Sequence, residues 1–159
     1  MPTPEFVLEL RKKIGHDLLW LPGVIGIVFN DAGQVLLGQR SDNGRWTLVT
    51  GMLEPGEQPA QGLAREVLEE TGVVVEVEAL VDVRADRPVE FINGDRVQFL
   101  SLTFRCRAVS GEAKVSDDES LDVGWFHLDD LPELPDYHLS RLRTAHCWKE
   151  SNSETLFVR

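Results

Sequence analysis

The apolar residues of this chain change their spacing several times, and each change marks an element. In "TPEFVLELRKKIG", Phe6, Val7 and Leu10 share one stripe and Gly15 closes it, which predicts a short amphipathic helix. "LPGVIGIVFN" is a β-branched apolar run, "NDAGQ" a turn and "VLLGQR" a second apolar run, and together they predict a hairpin. "SDNGR" is a polar loop, and "WTLVT" is a short strand whose leading Trp46 is expected in the core rather than stacked on a base.

Further along, "VVVEVEALVDV" moves from a continuous apolar run to alternation, and "RVQFLSLTFRCRAV" alternates over its whole length after the turn "INGD". Both predict strands. "DVGWFHL" is a last strand, and "SRLRTAHCWK" is a terminal helix with Leu142, Ala145 and Trp148 three apart. The tail "ESNSETLFVR" is assigned to no element. With no internal repeat or linker, the order is helix, strands, one internal helix, strands, helix, an α+β layered domain.

The internal helix lies in "GMLEPGEQPAQGLAREVLEETGV", residues 51 to 73. It is predicted from Pro59, suited to a first helical turn, to Thr71 before Gly72, suited to a left-handed cap. At about 100° per residue, Ala60, Leu63, Ala64, Val67, Leu68 and Thr71 cover one arc. Glu66, Glu69 and Glu70 fill a separate arc. The like charges of Glu66 and Glu70, four apart, cost the helix roughly 0.2–0.5 kcal/mol. Only Arg65, four before Glu69, offsets this within the helix. A solvated acidic face is the plain explanation. Carboxylates at i, i+3 and i+4 also supply the convergent oxygens that a hard divalent cation requires. Gly51, Pro55 and Gly56 give a bent loop before the helix, and Glu57 is placed to meet Arg65 and brace that loop against it.

Composition narrows the field. The chain has 159 residues, 42% of them hydrophobic and 27% charged, enough for one domain with a real core. A formal net charge of −11 disfavours a protein that lives on polymeric nucleic acid. No apolar run is long enough to span a membrane and no signal pattern opens the chain, so it is expected in the cytoplasm. Cys106 and Cys147 read as one core and one helix thiol, and His16, His127, His138 and His146 lack metal-ligand spacing.

The quoted stretch resembles the signature of the Nudix hydrolases (MutT-like): Gly51, Glu57, Arg65, Glu66, Val67, Glu69, Glu70, Gly72 and Val73 satisfy every fixed position. The resemblance implies an α/β/α sandwich around a mixed sheet. The core would cover residues 20–150 of a single domain spanning 1–159, with a helical extension at 1–19 and a tail at 151–159. It implies hydrolysis of a diphosphate in a nucleoside diphosphate linked to another moiety: an ADP-ribose-like compound, a nucleotide sugar or a nucleoside triphosphate. It also implies Mg²⁺, or Mn²⁺, held by Glu66, Glu69 and Glu70 with Gly51 lining the site, and Glu57 with Arg65 as the brace. Thr50 stands where many members have a second glycine, and Gln58 is a weaker helix cap than Ser, Thr or Asp.

The resemblance also points to a distal acid in "VSDDESLDVGWF", where Glu119 is the candidate base or additional ligand and Asp117 and Asp118 compete with it. Pro88, 16 residues after Gly72, lies near where members acting on ADP-ribose often carry a proline. Arg40, Arg84 and Phe91 are candidate substrate contacts, Arg40 because it ends a strand leading toward the cleft. Two other functions stay open: a sensor that binds a nucleotide sugar without cutting it, and a pyrophosphohydrolase of RNA 5′ ends. The expected partner is a small nucleotide, with no membrane. A homodimer through the Leu8 and Leu10 region competes with that helix docking on its own domain.

Overall fold

The computed structural model describes residues 3–116, 120–148 and 154–157. In chain order the elements are α1 (Glu5–Ile14), β1 (Leu19–Phe29), β2 (Val35–Arg40), β3 (Trp46–Thr47), β4 (Val49–Met52), α2 (Pro59–Thr71), β5 (Val73–Ala85), β6 (Val89–Glu90), β7 (Arg96–Gly111), β8 (Ser120–Phe126), α3 (Asp136–Cys147) and β9 (Leu156–Phe157).

The apolar run at β1 is explained by its place. Parallel β7 flanks it from Leu19↔Val97 to Phe29↔Arg107, and antiparallel β4 flanks it from Gly23↔Met52 to Gly26↔Val49. A strand buried on both faces needs no polar alternation. Among the described residues the sheet runs β3-β2-β1-β7-β5-β9, with β4 on β1, β6 on β7 and β8 on β2. It is mixed, since β1 with β7 and β5 with β9 are parallel. On one face Val24 and Val28 of β1 meet Leu63 and Val67 of α2. On the other, Ile25, Ile27 and Phe29 meet Leu142 and Ala145 of α3. This is the expected α/β/α sandwich. α1 closes one end of the sheet, with Val7 against Leu21 and Val97.

Several local expectations are corrected. The hairpin survives only as the pair Phe29↔Val35 beside the turn, after which β2 leaves β1 and pairs antiparallel with β8 from Val35↔Phe126 to Arg40↔Ser120. β1 has exchanged a sequence neighbour for two partners with longer contacts. "WTLVT" divides at Leu48 into β3, on β2, and β4, on β1. The tail contributes β9, which pairs with β5 at Asp82 and Val83. α3 starts at Asp136, earlier than its apolar spacing indicates. Trp46 is half-buried, edge-on to Phe126 with ring centroids 4.8 Å apart. Cys106 is buried and Cys147 exposed, both free thiols.

Candidate active site

The internal helix runs from Pro59 to Thr71, and Gly72 caps it at φ 71° with its N–H donating to the Leu68 carbonyl. Gln58 makes no side-chain cap bond, the weak start its identity indicates. The buried arc differs from the sequence reading. Gly62, Leu63, Glu66, Val67 and Thr71 are buried, while Leu68 is 48% exposed and Ala60 is also exposed. A carboxylate has therefore taken a place in the buried arc.

The reason lies in β4. A Cβ on Gly51 would stand 2.2 Å from Glu66 Cγ and 2.6 Å from its Cδ, so the bare backbone of Gly51 forms the seat of the Glu66 side chain. Gly51 is required for space, since its φ is not in the left-handed region. Glu66 is 0% exposed. Arg65 Nη1 stands 2.9 Å from Glu66 Oε1 as an ion pair, yet without hydrogen-bond geometry, and both carboxylate oxygens lack a hydrogen-bond partner. Burial pushes the Glu66 carboxyl up to about 7 against the pull of Arg65, and neighbouring Glu69 adds to the rise. A buried carboxylate with one ion pair and no hydrogen bonds remains costly unless a further cation or a proton compensates it.

The brace is formed. Arg65 donates from Nε to Glu57 Oε1 at 2.9 Å and from Nη2 to Glu57 Oε2 at 3.0 Å, a fork on one carboxylate. Glu57 Oε2 also accepts the Glu54 N–H at 3.1 Å, so one side chain ties loop to helix. The Arg65 hydrogen bonds hold the Glu57 carboxyl below its usual range. Arg65 Nη1 reaches Glu69 Oε2 at 3.1 Å as well. Gly62, which the sequence reading passes over, is part of this joint: a Cβ there would meet Leu53 Cδ2 at 2.5 Å and Glu57 Oε2 at 2.7 Å. A glycine inside a helix, where it costs up to about 1 kcal/mol, was the available signal.

The three glutamates sit at different depths: Glu66 buried, Glu70 half-buried, and the Glu69 side chain 55% exposed. Among the described residues no three His, Cys, Asp or Glu side chains converge closely enough to hold a metal ion. Like charges held apart, with Arg65 between them, account for that spread. The donor set nonetheless fits a hard cation, because Glu66 offers two oxygens without hydrogen bonds, one of them ion-paired to Arg65, on the helix that carries two further carboxylates. At the end of the helix, Lys114 N–H donates to the Thr71 carbonyl at 3.0 Å and Ser116 N–H to the Glu70 carbonyl at 3.4 Å. Glu119, with Asp117 and Asp118, lies outside the described residues. Ser120, which follows it in sequence, pairs with Arg40.

Of the remaining candidates, Arg40 ends β2 and grips Asp42, 2.9 Å from Nε and 2.6 Å from Nη2. Arg84 Nε stands 2.7 Å from Asp82 Oδ2, on the sheet face that carries α3. There Arg141, 1% exposed, joins Asp86 at 2.6 Å, and Ser101 Oγ donates to Asp86 at 2.5 Å. Arg84 is thus engaged in a buried ionic seam. Phe91 is 46% exposed in the turn before β7. Thr50 lies on β4 opposite Ile25.

The NUDIX domain family matches residues 19–147, which include the whole acid helix and its loop. A MutT-like protein of Streptomyces ambofaciens is 40% identical over 110 residues, 69% of this chain and 66% of that protein. The 8-oxo-dGDP phosphatase NUDT18 of Mus musculus is 32% identical over 132 residues, 81% of this chain but 37% of that protein. The chain therefore spans two thirds or less of these relatives. Among solved structures, an ADP-ribose pyrophosphatase from Streptococcus suis superposes with a TM-score of 0.68 at 25% identity, covering 87% of this chain and 98% of that one. A MutT Nudix hydrolase from Burkholderia pseudomallei gives 0.65 at 28% identity, covering 79% and 98%. The loop, brace and acid helix thus sit in a domain matched over most of the chain, and the protein belongs to the Nudix hydrolase family.

Proposed function

We propose that the protein hydrolyses a diphosphate linkage in a nucleoside diphosphate attached to another moiety, with Mg²⁺ or Mn²⁺ as cofactor. The observation that carries this is Glu66: a buried carboxylate with no hydrogen-bond partner, seated on Gly51 and flanked by Glu69 and Glu70. In a merely solvated acidic face that group would lie in water. The cation would be held by Glu66, Glu69 and Glu70 with Gly51 lining the site, and when bound it neutralises diphosphate oxygens and lowers the pKa of an attacking water.

The chain's own part is positional. Glu57 and Arg65 lock loop to helix, so the carboxylates keep one orientation while charge shifts among the oxygens of the reacting phosphoryl group. Burial makes Glu66 hold its proton more tightly than a free carboxyl, and a bound cation would reverse this by stabilising the ionised form. Glu119 is assigned the proton of the attacking water, from a segment whose near end is anchored to Glu70 through Ser116. Arg40, opposite Ser120 at the far end of that segment, is the residue assigned to phosphate. Arg84, held by Asp82, and Phe91 receive no role.

Substrates are drawn from what similar proteins are named for: ADP-ribose, which the Pro88 position also favours, and oxidised guanine nucleotides. The test is product release with Mg²⁺ across ADP-ribose, NADH, nucleotide sugars, dinucleoside polyphosphates, and ordinary and oxidised nucleoside triphosphates. Turnover concentrated on one compound supports the reading and names the class. Tight binding to one compound with no turnover of any would replace it with a nucleotide sensor.

A further inference from the structure

The end of the sheet where β1 begins is covered unequally. One face carries α1, with Val7 on Leu21 and Val97, and Phe99 filling the space above Gly23. Among the described residues the opposite face has no such cover. Alternation along β1 puts Trp20 and Pro22 on the side of Val24, which packs beneath α2, and both are exposed, Trp20 at 61%. Across the sheet, Gln98 pairs with Trp20, Leu100 with Pro22, and Ala85 with Leu100. The result is a flat apolar strip with an indole at its end. Among the described residues Trp20 makes no ring or cation contact.

The strip is continuous with the acid site. Val24 pairs with Gly51, the seat of Glu66. Trp20 lies four residues back along the same strand, about 13 Å at roughly 3.3 Å per residue. That distance is comparable with the span of a sugar diphosphate. The loop between them is tied down by Leu53 N–H donating to the Pro22 carbonyl at 3.4 Å. With strands about 4.8 Å apart, the strip measures roughly 10 Å by 7 Å. That is far below the roughly 800 Å² per partner of a stable protein interface. It suits one heteroaromatic ring. Beside the indole, the Gln98 amide is fixed by donating from Nε2 to the Asp86 carbonyl at 2.9 Å, leaving Oε1 to accept from a base edge.

We propose that Trp20 is the platform on which the nucleobase of the substrate stacks, with Gln98 beside it as a hydrogen-bonding edge. This rests on the hydrolase reading of the acid site and extends it: the ligand is amphiphilic, with a phosphate group that would meet the cation held by Glu66, Glu69 and Glu70 and a planar base at Trp20. Stacking on an aromatic side chain is lost as about a tenfold loss of affinity or more when the ring is removed.

The experiment titrates the full chain at saturating Mg²⁺ with AMP, GMP, UMP, CMP and nicotinamide mononucleotide, and with ribose 5-phosphate as the base-free control, following tryptophan emission and heat. Trp20→Ala and Trp20→Phe are measured beside the parent. At least one mononucleotide is expected to bind and quench emission; Trp20→Ala weakens that binding about tenfold, and Trp20→Phe retains most of it. Ribose 5-phosphate is indifferent to both changes. On the best substrate, Trp20→Ala raises KM by a similar factor with kcat within twofold. Equal affinity in Trp20→Ala, or no binding by any mononucleotide, overturns the proposal. So does a loss that accompanies a lower melting temperature or a change from dimer to monomer, since Trp20 would then be structural or interfacial. Trp20-dependent binding in a chain that hydrolyses nothing keeps the platform and removes the hydrolase reading. Turnover with a KM indifferent to Trp20 does the reverse.

Discussion

Gly51→Ala probes the seat of Glu66 most sharply. The new Cβ would lie 2.2 Å from Glu66 Cγ, 2.6 Å from Cδ and 3.0 Å from Cβ, where ordinary contact begins at 3.4 Å. Relief at the closest atom therefore needs a displacement of about 1.2 Å, by Glu66 or by α2 against β4. Glu66 is 0% exposed and has no open side to retreat to without lifting the helix. Overpacking of this kind costs about 1–3 kcal/mol, which for a chain of this size is a fall in melting temperature of roughly 2–12 °C. A shift of about 1 Å in a catalytic group costs roughly 100-fold in rate. The assay is thermal unfolding and turnover of Gly51→Ala, Glu66→Ala and the double variant. Because Cγ and Cδ, the two closest clash atoms, are gone in the double variant and only the Cβ contact at 3.0 Å remains, most of the Gly51→Ala penalty is expected to vanish in the Glu66→Ala background, a coupling of about 1–3 kcal/mol. An undiminished Gly51→Ala penalty in the Glu66→Ala background would refute the reasoning, as would a Gly51→Ala protein equal to the parent in both measurements.

Two further outcomes follow from the same geometry. Glu57→Gln removes the charge from the fork on Arg65 and is expected to lower stability by about 1.5–3 kcal/mol in urea denaturation, with kcat falling as the loop loosens; an unchanged midpoint and rate would dismiss the brace. His138, 4% exposed, has its imidazole lowered from 6.5 to about 4, by burial first and then by the Arg141 charge, with the Asp86 carboxylate opposing. The unfolded chain thus takes up a proton that the folded chain refuses. Stability from this residue is complete above pH 6.5 and falls as pH drops toward 4, by at most about 3–4 kcal/mol for about 2.5 pH units at 1.36 kcal/mol per unit. Stability followed by urea denaturation between pH 7 and 4 should lose that component in His138→Gln, and an identical slope in both proteins would count against it.

How far the sequence could be read depends on the range of the interaction. α2 was legible in type and ends because Pro59, Gly72 and the spacing of Leu63 and Val67 act within a few residues. The brace was legible because Glu57 and Arg65 are eight apart on a loop and helix that sequence alone indicates. Strand partners were not, because β2 finds β8 across most of the chain, and a turn says nothing of that competition. The depth of Glu66 was hidden for a related reason: the glycine that admits it lies on a different element. The ionic seam had a faint signal. Arg141 occupies the helix stripe that holds His138, Leu142 and Ala145, and Asp82, Arg84 and Asp86 alternate along one line of chain. A charge on an apolar stripe announces a buried partner without naming it. Thr47 Oγ1, 2.9 Å from His138 Nε2, was likewise visible only once β3 and α3 were adjacent.

The central claim is that the carboxylates of α2 serve hydrolysis rather than solubility. It is tested most directly by comparing turnover of the parent and Glu70→Gln on the best substrate at saturating Mg²⁺, with the fold of both checked by circular dichroism. The expected result is a loss of roughly 100-fold or more in a protein that remains folded; equal turnover by the two would contradict the account.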